Sequence, residues 1–201
     1  MVFDVSRAKK RFTTKKLAFI GLMGALGNVL FLISQSVARY AQVALDLSHI
    51  ATFISALCGG PLIGGLTGLI VGVGPGIAFG PAGGLGFLGL WGLPVGKALT
   101  GLSVGLLYKL FRAGFKKHAF LFTVLVVSIG FIPECLFMVF FFLVLVKVFL
   151  PSAYSYLIGF LTPILCKAWL EVIVMAFLTG ILEGVGVLRF IRGFLSPKSR
   201  D

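Results

Sequence analysis

Lys167 and Glu171 stand inside YLIGFLTPILCKAWLEVIVMAFLTGILEGVGVL, residues 156–188, a stretch otherwise apolar enough to cross a bilayer. A charge at that depth costs at least ~3 kcal/mol unless it is paired or faces a cavity. On a helix, positions i and i+4 are neighbours, so the two side chains share a face that is expected to look into protein rather than lipid. That face reads as one wall of a polar pocket; a paired structural bridge between helices is the alternative. Two more charges interrupt apolar stretches, Lys97 and Glu134, the latter directly after Pro133. At ~1.5 Å per residue, Lys97 and Lys167 fall roughly 12 to 16 Å below the outer surface, and Glu134 and Glu171 at about 20 Å. Four ionisable groups from three spans in one layer imply a hydrated or ligand-filled vestibule reached from outside. Trp91, Trp169, Tyr40 and Tyr156 add aromatic surface near that level, with Trp169 on the opposite side of its helix from Lys167, toward lipid. We take Lys97, Glu134, Lys167, Glu171, Tyr40 and Trp91 as the candidate substrate-binding residues. Such a mixture suits a ring-containing or amphipathic organic solute with donors and acceptors.

Other chemistries find little support. No His or carboxylate cluster has metal-ligand spacing, and no Gly-x-Ser-x-Gly or His-Glu-x-x-His occurs, so neither a metal, a cofactor nor an enzymatic activity is expected. The glycines of GPGIAFGPAGGLGFLGL, residues 74–90, end in no Gly-Lys-Ser/Thr and follow no strand, which argues against a phosphate loop.

The elements that must position these charges follow from composition. With 59% hydrophobic and 12% charged residues in 201, the chain reads as an integral membrane protein, and its long apolar runs favour helices over a barrel. The net charge of +12 raises nucleic acid as a partner, but the placement of the basic residues points to the bilayer instead. They gather before the first span (Arg7 to Lys16), in one central loop and its helix end (Lys109, Arg112, Lys116, Lys117) and after the last span (Arg189 to Arg200). The positive-inside rule makes all three cytoplasmic, hence an even number of spans with both termini inside, plus a modest attraction to anionic lipid. Ser36-Val37-Ala38 could pass for a signal-peptidase site. The preceding apolar run is longer than an h-region and more spans follow, so the first helix is read as retained. Cys58, Cys135 and Cys166 are dispersed and read as small hydrophobes.

The expected fold is all-α with six transmembrane helices, N-in/C-in: a basic lead over residues 1–16, a membrane domain over 17–190 and a cytosolic tail over 191–201. Span one (17–37) carries Gly21 and Ala25 at the small-xxx-small spacing that lets two helix backbones approach, either internally or against another subunit. Span two (46–58) is short, and Asp46 and His49 read as its cap and interfacial anchor rather than as ligands. Gly59-Gly60-Pro61 predicts a tight turn. Span three (62–73) presents Gly64, Gly68 and Gly72 as a smooth stripe, and span four (89–111) presents Gly101 and Gly105 in the same way. Between them, residues 74–90 are expected to form an irregular outer loop over the pocket mouth. Span five (119–145) should kink at Pro133. Span six is the opening stretch, with Glu183 near its inner end meeting basic residues.

The ordered segments KKLAFIGLMGALGNVLF, LDLSHIATFISALCGGPLIGGLTGLIVG and GLPVGKALTGLSVGLLYKLF resemble the substrate-binding S components of energy-coupling factor (ECF) transporters, over most of residues 15–190. The resemblance implies a prokaryotic plasma-membrane subunit, multi-pass with cytoplasmic termini. It would capture a water-soluble vitamin or related micronutrient outside the cell and associate with a transmembrane coupling subunit and two cytosolic ATPases. It also implies an Ala-x-x-x-Ala docking motif on the first helix, which Gly21 and Ala25 match in size, and a substrate site in the outer half, where the four charges lie. Which vitamin is held is left open, since the lysines suit a carboxylate and the glutamates a cationic ring or hydroxyls. A stand-alone secondary carrier using Glu134 or Glu171 as a proton relay is the alternative.

Overall fold

Hydrocarbon offers backbone amides no partners, so a chain this apolar must satisfy them within its own segments. The computed structural model describes residues 13–41, 46–112 and 118–196, except for the side chains of residues 38–41; throughout the described residues the regular structure is helical. The helices are α1 (Thr14–Ala41), α2 (His49–Gly59), α3 (Pro61–Val71), α4 (Val73–Phe79), α5 (Gly86–Phe111), α6 (Ala119–Gly130) and α7 (Ile132–Phe140). A π-helical stretch (Phe141–Val146) leads to α8 (Lys147–Phe149), followed by α9 (Tyr154–Ile158), α10 (Leu161–Gly184) and α11 (Val187–Leu195). Among the described residues, five stretches are long and apolar enough to cross a membrane: Thr14–Val37, Pro61–Phe79, Gly86–Phe111, Ala119–Phe149 and Tyr154–Gly184.

The expected second span is the exception. α2 has 11 residues, about 16 Å of helix against a hydrocarbon core of ~30 Å. It is enclosed by other helices, touching α1, α3, α5, α10 and α11. Ala51, Thr52, Phe53, Ser55, Ala56 and Leu57 are buried. A helix wrapped in protein need not match the bilayer, and it can carry buried hydroxyls that a lipid-facing helix could not.

Residues 74–90 depart from the irregular loop the glycines predict. α3 continues into α4 across Gly72, and α5 begins at Gly86, so irregular backbone shrinks to the turn over residues 80–85. The reason is packing, which overrides low intrinsic propensity. A Cβ on Gly68 or Gly72 would overlap the backbone of Lys97 or Pro94, one on Gly64 would lie 2.6 Å from the Gly101 carbonyl oxygen, and one on Gly105 would meet Pro61. The two predicted glycine stripes therefore face each other, and α3–α4 lies against α5 backbone to backbone.

On α1 the small residues divide between two faces. Gly24 and Gly27 meet Ile70 and Val71, whereas Gly21 and Ala25 are exposed, and a Cβ at Gly21 would meet nothing within 4 Å. Asn28 pins this helix by donating to the Ile70 carbonyl at 2.8 Å and accepting from the Gly74 amide at 2.7 Å. Span five breaks at Phe131, two residues before Pro133, as the proline predicts. At Gly186 the backbone turns through φ 87° into α11, which buries Leu188 and Leu195 against the bundle and so runs past position 190.

Replacing Gly68 by Leu should cost about 1–3 kcal/mol or more through overpacking, whereas Gly21→Leu should leave stability unchanged. Thermal unfolding of the detergent-solubilised protein separates the two, and equal losses would contradict this packing.

Candidate functional site

Lys97 lies on α5, three residues before Thr100, and is only 3% exposed. Its Nζ lies 3.3 Å from Asp46 Oδ2 and donates to Ser48 Oγ at 2.8 Å. Asp46 is one of the residues the sequence reading assigned to capping. Its other oxygen does accept the Ser48 amide at 2.9 Å, so one carboxylate both turns the chain into α2 and neutralises a buried ammonium. The adjoining Leu47 amide donates to Ser34 Oγ on α1 at 3.3 Å.

Glu134 enters from the first turn of α7. It accepts a hydrogen bond from Thr100 Oγ1, and its Oε1 lies 3.7 Å from His49 Nε2, beyond hydrogen-bond reach but within close Coulombic range. The His49 ring stacks on Phe53 at 5.8 Å and meets the edge of Phe131 at 5.9 Å, which fixes its plane. Its Nδ1 is buried without a hydrogen-bond partner. Gly96 lies against α7, a Cβ there coming into ordinary contact with the Glu134 side chain at 3.4 Å.

The third arm is α10. Lys167 Nζ sits 3.3 Å from Glu171 Oε1, as the i, i+4 spacing predicts, and the same oxygen accepts the Asp46 amide at 2.7 Å. Lys97, Lys167 and Glu171 are therefore linked through Asp46, while Glu134 adjoins that network through Thr100 and His49 beside it. The six groups comprise three carboxylates, two ammonium groups and one imidazole.

Several expectations need correction. The Lys167 side chain is 48% exposed while that of Glu171 is 8% exposed, so this face straddles the bundle surface rather than looking wholly inward. A long aliphatic stem lets the ammonium reach outward while still pairing. Trp169 turns into the core, edge-on to Phe131 at 5.4 Å, and not toward lipid. Trp91 packs against Phe141 at 6.3 Å between ring centres, and no polar contact joins it to the charged groups. The side chain of Tyr40 lies outside the described residues. Nor do the charges surround an open vestibule: Lys97 pairs with Asp46 and Lys167 with Glu171, Glu134 is held by Thr100, and the cavity beside Glu134, lined also by Gly92, Gly96, Phe137 and Phe141, holds about 10 Å³. That is room for about one water molecule.

A family model for the substrate-specific component of ECF transporters matches residues 15–183. The chain belongs to this family. No curated protein and no solved structure matches it. As a substrate-specific component it is a membrane transport subunit, and a polar layer inside its bundle is where a solute site can be built.

The sequence singles out four of the ionisable groups in this network, reads Asp46 and His49 only as cap and anchor, and gives no signal for Ser48 or Thr100. Asp46 and His49 lie three apart at the start of a segment too short to span, a signal equally compatible with capping. Only the fold shows that this end of α2 is enclosed. Glu183, expected to meet basic residues, pairs with Arg192 at 2.7 Å.

Lys97→Ala should destabilise the protein by about 3–5 kcal/mol, because it strands a carboxylate whose partner is buried. Lys167→Ala should cost less, because its ammonium is half exposed and Glu171 keeps the Asp46 amide as a partner. Chemical unfolding of the two variants checks the ranking, and a reversed order would refute the assignment of Lys97 as the enclosed partner.

Proposed function

We propose that the protein is the capture subunit of an ECF-type, ATP-driven importer for a water-soluble vitamin or related micronutrient. In this reading the solute enters from the outer side and is held by Lys97, Glu134, Lys167 and Glu171 together with Asp46 and His49. Tyr40 and Trp91 would complete the mouth of the site. The observation that carries the proposal is the convergence of the segment preceding α2 with α5, α7 and α10 on one layer of charged groups, largely buried except at Lys167 on the bundle margin. Structural ion pairing alone would not require His49, whose Nε2 faces Glu134, to bury its Nδ1 without a partner. Three carboxylates against two ammonium groups favour a solute rich in N–H and O–H donors, or a cationic ring, over a simple carboxylic acid. Because the charges are paired, binding is expected to exchange internal pairs for contacts with solute. The segment carrying Asp46 would be the element displaced.

The same reading gives the chain six membrane segments, with α2 as a buried half-length member, and both termini in the cytoplasm of a prokaryotic cell. The exposed faces of Gly21 and Ala25 support docking of a transmembrane coupling subunit, itself driven by two cytosolic ATPases, since α1 uses Gly24 and Gly27 for its own packing. No catalysis is assigned to the chain.

A proton-coupled carrier acting alone is the second reading, favoured by the placement of Glu134 against Thr100 and His49 within the bundle.

Native mass spectrometry of the gently purified protein should show a retained small organic molecule. Glu134→Gln should lower its retention at least ten-fold while the protein still inserts and folds, and undiminished retention would remove Glu134 from the site. The Gly21→Leu/Ala25→Leu variant should keep solute capture but lose uptake in cells that supply the partner subunits. Proton-driven uptake by the protein alone in liposomes would instead establish the second reading.

A further inference from the structure

The end of the bundle remote from Glu134 carries a different kind of site. Tyr108 lies 11 residues beyond Lys97 on α5, ~16 Å along the helix. Around it Arg112, Glu183, Arg189 and Arg192 line a cavity of about 230 Å³. Arg192 grips Glu183 with both terminal nitrogens, Nη1 to Oε2 at 2.9 Å and Nη2 to Oε1 at 2.7 Å, and Nη1 also donates to the Tyr108 hydroxyl at 2.8 Å. That carboxylate is spent on Arg192. Of the six acidic residues in the chain, Asp46, Glu134 and Glu171 belong to the other layer, and Asp4 and Asp201 lie outside the described residues. Among the described residues neither Arg112 nor Arg189 has a carboxylate partner. The Arg112 guanidinium lies 5.6 Å from the centre of the Tyr108 ring, and Arg192 Nε is buried with its donor unmet. Three guanidinium groups and one carboxylate leave the cavity with a net charge of +2.

We propose that this cavity binds the phosphate of an anionic phospholipid headgroup. Guanidinium groups match phosphate oxygens with paired N–H donors, and a cavity of this size admits a phosphate with part of its ester. Lipid is favoured over a soluble phosphate by the neighbouring surface. α11 buries Leu188 and Leu195 on one face and exposes Val187, Phe190 and Phe194 on another, with Phe190 79% exposed. An apolar stripe bordered by Arg189 and Arg192 is the pattern of a helix lying in the membrane interface, at the depth where headgroup phosphates sit. Lys15, with its Nζ 4.9 Å from the centre of the Phe194 ring, adds charge at the same rim. On the orientation proposed above this end faces the anionic cytoplasmic leaflet.

The test uses the full-length purified protein and three probes: phosphatidylglycerol, phosphatidylcholine and water-soluble glycerol phosphate. Phosphatidylglycerol should be retained in native mass spectrometry and raise the unfolding temperature. Arg112→Ala/Arg189→Ala should weaken that retention roughly thirty-fold, with Arg112→Lys/Arg189→Lys restoring part of it. Both variants leave Arg192–Glu183 intact, and solute capture should be unchanged, so failure here is separable from failure of the transport reading. Equal retention of phosphatidylcholine, or phosphatidylglycerol binding undiminished in the alanine variant, overturns the proposal. An equal shift by glycerol phosphate overturns the lipid assignment. Retention lost in both double variants because neither folds would be recognised by their lost cooperative unfolding; Arg189→Gln alone then decides, and must weaken phosphatidylglycerol retention.

Discussion

A cation enclosed by apolar helices must be neutralised where it stands, and much of this structure is arranged around that requirement at Lys97. Its partner comes from outside the regular elements: Asp46, in the segment entering α2. The bond ties that entry to α5, and the Asp46 amide ties it to Glu171 on α10. A single residue thus joins three parts of the bundle through three different groups, its two carboxylate oxygens and its own N–H. The shortness of α2 is consistent with this. A helix that crossed the whole bilayer would carry its N-terminus to the surface, whereas one of half that length can present it at the depth of the buried charges.

The glycines solve a separate problem. Lipid supplies no hydrophobic drive between helices, so association rests on dispersion and close approach. α3 and α5 achieve this with glycines on both partners, and the backbone of Lys97 itself is among the surfaces that Gly68 meets. The packing that fixes α5 therefore also fixes where the Lys97 side chain starts. Chemistry and scaffold meet at one residue.

Much of this was legible in the sequence. Charged residues in apolar stretches identify themselves by their cost, which is why Lys97, Glu134, Lys167 and Glu171 could be selected, and why Glu183 could be assigned a basic partner. Glycines four apart announce helix contacts, and Pro133 announces its break. What failed did so for physical reasons. Intrinsic propensity predicts an irregular loop over residues 74–90, and helix-to-helix packing overrides it at Gly72 and Gly76. The angle between Trp169 and Lys167 points Trp169 toward lipid only where the Lys167 face looks inward. With Lys167 on the bundle margin, the opposite assignment follows. Asp46 and His49 have ordinary roles at a helix start, and no pattern in one dimension reveals that α10 and α5 close over them.

The two kinds of contact also differ in what they let the molecule do. Two backbones pressed together through glycine leave few side chains between them to rearrange, so α3–α4 and α5 are expected to move as one plate. α7 and α10 meet that plate largely through side chains and hydrogen bonds, which can exchange partners without loss of covalent or helical order. A molecule entering the charged layer, as the proposed function requires, would then displace α7, α10 and the Asp46 segment against that plate, and the π-helical stretch at Phe141–Val146, with its looser turn, lies directly beyond α7.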